Sequence, residues 1–426
     1  MRHGPLRHPW FAAFTAGVAT GSVADEVSRL ALPLMVLDLT HSLAAAATLR
    51  VVQFVPYIFF GSVAGVIIDR VDKRRLLLGA DLIGVLLTAA IPLSVLFNVF
   101  SLELLYALGF LLGTVEVVRG VTTDFSVVPA LVDEHELTQA NAVYLGADRF
   151  ARVIGPVLAG LAIEAFGTAN ALWIAALAFL PTAAVLVRMP RHFLAAEPGE
   201  RVALSVGTFA REIGDGFAFV WRSRILRAVL IFMFIGNLGG NGLQTLFLYV
   251  LNVEHGFSAA TIGVIFGGIG VMSIAGSISA PALTRGRPMG RTMLGMQVVS
   301  SLMVLVMGGL RDVGMLIGAF AIRQIASSAW VVYAFTPRQR EVPRELRGRA
   351  NGAIRAVLIA SNAASPALLS TIQSGLGTGI AYVTAGLLGL ISVAVASFTA
   401  LRDYDVRGPL DIVAAEEDVE MEPAAD

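Results

Sequence analysis

The sequence has no cysteine, and Lys73 is the single lysine among its 31 basic residues. The absence of cysteine excludes a disulfide framework, a thiolate metal site and a cysteine nucleophile. Because Lys73 is followed by Arg74, the chain has no phosphate-binding loop, which requires glycine, then lysine, then serine or threonine. Any transport by this chain is therefore not driven by an ATP site of its own.

Charge is also scarce, since charged residues make up 15% of the chain against roughly 25% in soluble domains. The formal net charge is zero, and hydrophobic residues reach 56%. This composition excludes a soluble, disordered or nucleic-acid-binding protein. All six histidines fall in tails or loops, which excludes a histidine metal site within the membrane. Because no convincing Ser/His/Asp set occurs either, we predict no metal, no cofactor and no enzymatic activity.

Apolar segments recur along the chain at the ~20-residue length that a helix needs to cross a bilayer. Twelve of them lie at residues 10–38, 43–68, 76–97, 102–123, 141–166, 169–188, 227–251, 258–284, 292–309, 313–337, 350–371 and 377–401. The predicted fold class is therefore an all-α integral membrane protein with twelve transmembrane helices.

The basic residues indicate the orientation of these segments. If the N-terminus is inside, 23 of the 31 basic residues fall in cytoplasmic loops and tails, with Arg188 and Arg227 at the segment ends counted among them; seven lie within spans, and Arg311 alone lies outside. Because basic loop residues resist translocation, both termini are predicted to be cytoplasmic.

The longest polar stretch divides the predicted spans six and six. This division predicts an N-terminal six-helix bundle over residues 1–188, a cytoplasmic linker over 189–226, a C-terminal six-helix bundle over 227–401 and an acidic disordered tail over 402–426. The linker contains apolar residues at helical spacing opposite charged ones, which is typical of a helix lying on a membrane surface. These are Phe209, Ile213, Phe217 and Val220.

The two halves repeat one spacing. Asn141 is followed fifteen residues later by Pro156, and Asn351 is followed fifteen residues later by Pro366. Parallel repeats of six spans are typical of transporters whose two bundles move about a central site.

A cluster of charges follows the second apolar segment. Gly65 precedes an Asp69-Arg70 pair by four residues, and Arg74 lies in the basic run after it. The stretch resembles the signature between spans two and three of the major facilitator superfamily, with Asp72 where that signature usually has glycine. The resemblance implies that Asp69 faces the N-terminal end of span eleven, near residues 349–351, and stabilises the state closed toward the cytoplasm.

The fifth segment carries glycine and proline at a regular spacing. Pro156 removes a backbone hydrogen bond, while Gly155 and Gly160 permit close helix packing. Together with Gly146 they resemble the span-five signature of the superfamily's antiporter branch, with Ala159 replacing one glycine. The resemblance implies exchange rather than uptake, and helix packing alone is the alternative. Three further charges of this segment are interpreted as part of the inner gate or as a functional relay: Asp148, Arg149 and Arg152.

Ionisable groups within the bilayer are candidates for function because their burial is costly. Asp25, Glu26 and Arg29 lie near mid-depth of the first segment, at three- and four-residue spacings that let both carboxylates reach one guanidinium. Because one guanidinium cannot neutralise two carboxylates, one of the two acids is expected to be protonated, as proton coupling requires. A static ion cluster and a pure substrate contact are the alternatives. Glu116 and Arg119 extend the candidate set onto the fourth segment.

Polar residues on the seventh and tenth segments indicate a substrate cavity. Asn237, Asn241 and Gln244 recur at steps of four and three on one helical face, which predicts either a wet cavity or polar contacts between helices. Arg323, with Gln324 beside it, lies near the middle of the tenth segment and is the best candidate for contact with an anionic substrate.

The resemblance to the major facilitator superfamily covers about residues 10–402 and is strongest to bacterial macrolide and enterobactin exporters. It implies a proton-coupled exporter of a bulky amphiphilic compound, acting as a monomer in the bacterial cytoplasmic membrane. The expected partners are the small amphiphilic substrate, protons and the lipid bilayer, with no nucleic acid. A lysophospholipid or small-solute importer of the same fold is the alternative, and a non-transporting scaffold or sensor is the remaining one.

Overall fold

The computed structural model describes residues 5–60, 72–123, 127–133, 136–190, 193–194, 206–343 and 346–405. Helices are the sole regular elements of these residues. We number the long ones α1 Pro9–Thr40, α2 Leu43–Phe60, α3 Lys73–Leu96, α4 Leu102–Thr122, α5 Leu137–Phe166, α6 Thr168–Arg188, α7 Val206–Arg222, α8 Arg224–Glu254, α9 Ala259–Leu283, α10 Met289–Met307, α11 Val313–Arg340, α12 Arg347–Leu376 and α13 Thr378–Ser397.

Helix boundaries follow local chemistry. The side chains of Asp72, Ser101, Ser223 and Asp312 each accept a hydrogen bond from a backbone N–H three residues on and so cap α3, α4, α8 and α11. Gly167 and Gly377 have positive φ angles of 82° and 88°, which lets the chain reverse at once into the next helix. The turns between α5 and α6 and between α12 and α13 are correspondingly short.

Eight of the helices in the described residues are long and apolar enough to cross a membrane: α3, α6, α8, α9, α10, α11, α12 and α13. Helices α1, α4 and α5 lie outside this set, and each carries at least three charged residues. Charge lowers the mean hydropathy of a helix, and the charged residues of α1, α4 and α5 contribute to this difference.

The chain forms two compact units. The first comprises Met1–Arg201 with Gln244–Gly270, and the second comprises Val202–Leu243 with Val271–Asp426. A core in the first unit surrounds the fully buried Phe11 and Phe14 of α1. A core in the second unit surrounds Phe232 of α8 and Trp330 of α11, whose rings meet edge to face at 5.4 Å between centroids. Each unit therefore has a hydrophobic core of its own.

Helix α7, within the predicted linker, packs against the start of α12 in the second unit. Val220 is completely buried in a cluster with residues of α8 and α12, whereas Phe217 is exposed and stacks on Trp221. The side chains of Phe209 and Ile213 lie outside the described residues. Asp215 pairs with Arg349 at 3.8 Å. One member of the predicted surface stripe is thus part of a protein core.

Replacing Gly216 with alanine is expected to displace α7 from α12. A Cβ atom at this position would lie 2.2 Å from the Arg349 carbonyl oxygen, and backbone cannot yield cheaply. We expect a loss of about 1–3 kcal/mol in unfolding free energy, typical of overpacking. SDS titration of the purified protein would measure it. Gly214→Ala is the matched control, because its Cβ would meet nothing within 4 Å. Equal losses in the two variants would contradict the close contact.

The residues that directly follow α13 are held against the second unit by hydrogen bonds and an ion pair. Tyr404 donates a hydrogen bond from its hydroxyl to Glu341 Oε1 at 2.8 Å, and its carbonyl oxygen accepts one from the Gly290 N–H at 2.9 Å. Asp403 pairs with Arg291 at 2.6 Å. Burial and the neighbouring Glu341 raise the pKa of Tyr404, so it stays a neutral donor. The disordered tail predicted from residue 402 therefore does not include Arg402–Asp405, and residues 406–426 lie outside the described residues.

Candidate functional site

A network of charged side chains lies inside the first unit, on α1, α3, α4 and α5. Its ion pairs join five carboxylates to three guanidinium groups, and we call this set the ion network. Its members are Asp25, Glu26, Asp81, Glu116 and Asp148 with Arg29, Arg119 and Arg152. The predicted candidates of three segments are thus in one place.

Arg119 links three helices. Its Nε lies 2.8 Å from Asp81 Oδ1 on α3, and its Nη1 lies 3.5 Å from Asp25 Oδ1 on α1. The guanidinium stacks on the ring of Phe179 at 4.5 Å, where α6 is interrupted. A Cβ at position 21 would lie 2.9 Å from Arg119 Nη2, so Gly21 gives the side chain its room. Asp81 is 1% exposed and draws its counter-charge from Arg119.

Glu26 holds the second half of the ion network together. Its Oε1 lies 2.9 Å from Arg29 and 3.6 Å from Arg152. Arg29 also reaches Glu116 at 3.3 Å, while Arg152 pairs with Asp148 at 2.9 Å. The spacing of Glu26 and Arg29 produces the contact predicted for it. Asp25, in contrast, pairs with Arg119 rather than with Arg29 in the ion-pair geometry.

The charge balance of the ion network is negative. Five carboxylates face three guanidinium groups, and Arg50 of α2 adds a fourth positive charge near Glu116. Among the described residues of this set, one carboxylate is therefore in excess even when Arg50 is counted. A proton is the smallest species that can remove such an excess from an apolar surrounding.

One of the antiporter-like residues of α5, Gly155, contacts the ion network directly. A Cβ at Gly155 would lie 2.6 Å from Glu26 Cβ, so α1 and α5 touch at the aliphatic part of the Glu26 side chain. Farther along α5, Gly160 approaches Gly263 of α9 so closely that a Cβ would lie 3.0 Å from its Cα, and the Pro156 carbonyl meets the same glycine. Gly146 differs, because a Cβ there would meet nothing within 4 Å.

The predicted gate residues are divided. Gly65, Asp69 and Arg70 lie outside the described residues, so the expected contact of Asp69 stays a prediction. Arg74 donates hydrogen bonds to the carbonyl oxygens of Leu186 and Val187 at the end of α6. Of the three charges on α5, Asp148 and Arg152 are in the ion network, whereas Arg149 is exposed and has no ion pair among the described residues.

The second unit contains a polar cavity of about 100 Å³. It is lined by residues of α8, α10, α11 and α13, among them Asn237, Asn241, Gln297, Ser300, Arg323 and Trp330. Gln324 does not line it but accepts a hydrogen bond from Arg323 Nη1 at 3.0 Å. Gln244 belongs to the first unit and lies outside this cavity. The structure thus brings together Asn237, Asn241 and Arg323 of the predicted set.

A break in α8 shapes this cavity. The helix is interrupted at residues 241–242, where the Gly242 N–H donates to Ser365 Oγ at 2.7 Å and the Asn241 amide bonds to Asn362. The Gly240 carbonyl, freed from the helical ladder, accepts from Arg323 Nη2 at 3.2 Å. Discontinuous helices of this kind line the binding sites of many transporters.

One group of potential metal ligands lies near the start of α1. Atoms of His8, Asp133 and Glu136 are within 4.8 Å of one another. His8 Nε2 lies 2.7 Å from Glu136, and Arg7 lies 3.5 Å and 3.6 Å from the two carboxylates. Ion pairs with Arg7 therefore already account for both acids.

Comparison with known proteins identifies the family. The sequence profile of the transmembrane secretion effectors, a branch of the major facilitator superfamily, matches residues 2–422. The chain belongs to this family. It is a transporter of the major facilitator type and a multi-pass membrane protein, as the resemblance in the loop and span-five motifs predicted.

Individual relatives are similar over nearly the whole chain. The multidrug efflux pump Tap of Mycolicibacterium fortuitum is 27% identical, with 95% of this chain and 98% of Tap covered. The enterobactin exporter EntS of Escherichia coli is 26% identical, with 91% of each covered. Among solved structures, an inward-facing bacterial homologue of the human lysosomal transporter Spinster has a TM-score of 0.73 at 13% identity, over 96% of this chain and all of that one. This last likeness concerns the fold alone.

Two residues in the charged and polar interior of the protein were not predicted from the sequence. Asp81 is an isolated acid in the apolar run of α3, and the rule that intramembrane acids are functional candidates would have selected it. Gln297, buried at 6% exposure on α10, lines the cavity beside Arg323. A lone glutamine in an apolar segment gives a weaker signal, since amides also pair helices.

Proposed function

We propose that the protein is a proton-coupled exporter of a bulky amphiphilic compound that works by alternating access. In this proposal twelve transmembrane helices form two six-helix bundles with the boundaries predicted above. The chain lies in the bacterial cytoplasmic membrane with both termini in the cytoplasm, and it acts as a monomer.

The observation that carries the proposal is the surplus carboxylate of the ion network. Asp25 is the seventeenth of the 32 residues of α1, roughly 24 Å from its start at ~1.5 Å per residue. An uncompensated carboxylate at that depth is costly, and a proton from either side of the membrane removes the cost. The close contact between Gly155 and the Glu26 side chain supports proton coupling as well, because it connects the antiporter-like segment of α5 to the ion network.

Coupling in this proposal works by exchange of partners. A proton on Asp25 removes one of the two acids that hold Arg119, and a proton on Glu26 removes an acid shared by Arg29 and Arg152. Either event loosens contacts between α1 and the neighbouring helices α4 and α5. Protonation thereby favours one conformation, and release of the proton favours the other.

The outward direction is supported by the relatives. Tap is named a multidrug efflux pump and EntS an enterobactin exporter, and both align over more than nine-tenths of this chain. Both names describe export. The proposed substrate class, a bulky amphiphile such as a drug, macrolide or siderophore, follows from them.

Proton release from everted vesicles tests the function. The lumen is acidified, and macrolides, siderophores, lipophilic cations and lysolipids are added while a pH-sensitive dye is followed. We expect one class to dissipate the gradient with the native chain and not with Asp25→Asn/Glu26→Gln, because the double variant removes the titrating groups of α1. Arg311→Gln, which removes an exposed arginine, is the control that should leave the signal unchanged.

Three results would contradict the proposal. A double variant that dissipates the gradient as well as the native chain would separate the ion network from proton movement. Substrate accumulation that runs inward without a gradient would favour the lysophospholipid or small-solute importer. A folded chain that moves none of these compounds in either direction would favour the scaffold or sensor.

A further inference from the structure

Arg323 carries a charge inside the second unit that no acid balances. Its Nη1 donates to an amide oxygen of Gln324, its Nη2 donates to the Gly240 carbonyl, and its guanidinium lies 5.2 Å from the centre of the Phe320 ring. Its Nε is buried and has no hydrogen-bond partner. No carboxylate lies within ion-pair distance of it among the described residues.

The cavity beside Arg323 likewise contains no negatively charged side chain among the described residues that line it. None of its lining residues is acidic, and its polar groups are amides, hydroxyls and this one guanidinium. The Oε1 atom of Gln297, buried in the cavity wall, also has no hydrogen-bond partner. Gly236 and Gly240 also line the cavity, and a Cβ at either would lie at an ordinary contact distance of 3.6 Å from the Gln297 amide or the Arg323 guanidinium.

A cation held away from water requires a counter-charge. In the ion network each guanidinium pairs with at least two carboxylates. The hydrogen-bond partners of Arg323, in contrast, are a neutral side-chain amide and a backbone carbonyl. The planar fork of arginine fits the two oxygens of a carboxylate, and the hydrogen bonds of Arg323 within the protein use two of its five N–H donors. The cavity, at about 100 Å³, has room for such a group and for a few waters.

We propose that this cavity is an anion-recognition subsite, in which Arg323 binds a carboxylate or similar singly charged oxyanion of the substrate. The proposal rests on the proposed function and narrows its substrate class to amphiphiles that bear an anionic group. Asn237 and Ser300, which also line the cavity, supply neutral donors to the same group. The bulk of the amphiphile exceeds the cavity and remains outside it.

Equilibrium binding of a matched pair of probes tests the subsite without a gradient. Radiolabelled 2-naphthoate and its neutral isostere 2-naphthamide are titrated onto the full chain in lipid nanodiscs, with empty nanodiscs subtracted. We expect 2-naphthoate to bind at least about tenfold more tightly than the amide, since one charge-assisted hydrogen bond is worth that factor or more. Arg323→Gln should abolish the difference, and Arg323→Lys should keep part of it. Arg311→Gln, which removes an exposed arginine, is the matched control.

The outcomes separate this subsite from proton coupling. Equal affinity for acid and amide in the native chain, no saturable binding of 2-naphthoate, or a preference that survives Arg323→Gln would each overturn the subsite, even if the vesicle assay supports antiport. A charge preference that depends on Arg323 supports the subsite, even if the gradient is not dissipated. The comparison within the native chain keeps the test decisive should a variant fail to fold.

Discussion

Replacing Arg119 with methionine is expected to lower the free energy of unfolding by about 3–5 kcal/mol, the cost of leaving a buried charge without its partner. Asp81 is 1% exposed and would lose the guanidinium that lies 2.8 Å away. Asp25 would lose its ion pair in the same variant. SDS titration of the purified protein in mixed micelles measures the change, and proton-coupled export should disappear in the same variant.

A second substitution separates the charge effect from lost packing. Because Asp81→Asn removes the more deeply buried of the two uncompensated charges, the double variant Arg119→Met/Asp81→Asn should recover part of the lost stability but not transport. Arg75→Met is the control, since Arg75 pairs with Asp72 at 3.5 Å with 76% of its side chain exposed and should cost less than about 1 kcal/mol. If the double variant is no more stable than Arg119→Met, the loss of unfolding free energy does not come from breaking the Arg119–Asp81 ion pair.

Replacing Gly155 with alanine is expected to stop coupled transport and to cost about 1–3 kcal/mol in unfolding free energy, as overpacking does. The new methyl group would lie 2.6 Å from Glu26 Cβ and 2.7 Å from its Cγ, so α1 must move away from α5. Glu26 would then lose its geometry with Arg29 and Arg152. The proton-release assay measures the first effect and SDS titration the second.

Gly146→Ala is the matched control on the same helix and in the same motif. Its Cβ would meet nothing within 4 Å, so the alanine is expected to leave transport intact. It should raise stability by up to about 1 kcal/mol, because glycine is the poorer residue in a helix interior. If the two variants behave alike, the motif acts through helix propensity rather than through contact with Glu26.

Most of the helical framework follows from hydropathy. Every apolar segment predicted from the sequence coincides with a helix within the described residues, as with 102–123 for Leu102–Thr122 and 258–284 for Ala259–Leu283. The interruptions do not follow from it. The break of α8 at residues 241–242 depends on Gly242 docking against Ser365, a contact between distant parts of the chain. A mean hydropathy taken over twenty residues does not reveal such a break, because one or two residues change the mean only slightly.

Where partners share one helix, the candidate site was predictable in part, because Glu26 pairs with Arg29 as expected whereas Asp25 pairs with Arg119 instead. The spacing of Glu26 and Arg29 fixes their contact, and the structure shows it at 2.9 Å. The partners of Arg119 could not be deduced in this way, because Asp25 and Asp81 come from two other helices and their approach depends on packing at Gly21 and Phe179. Periodicity describes the faces of single helices and leaves open which faces meet.

The segment that follows α13 sets a practical limit on shortening the chain. Composition alone would place the cut for removing the acidic tail at residue 402. Such a cut would also remove the carboxylate that holds Arg291, the hydroxyl that reaches Glu341 and a carbonyl that accepts from Gly290. A shortened protein, or one carrying a fluorescent reporter in place of the tail, should therefore retain the chain through Asp405.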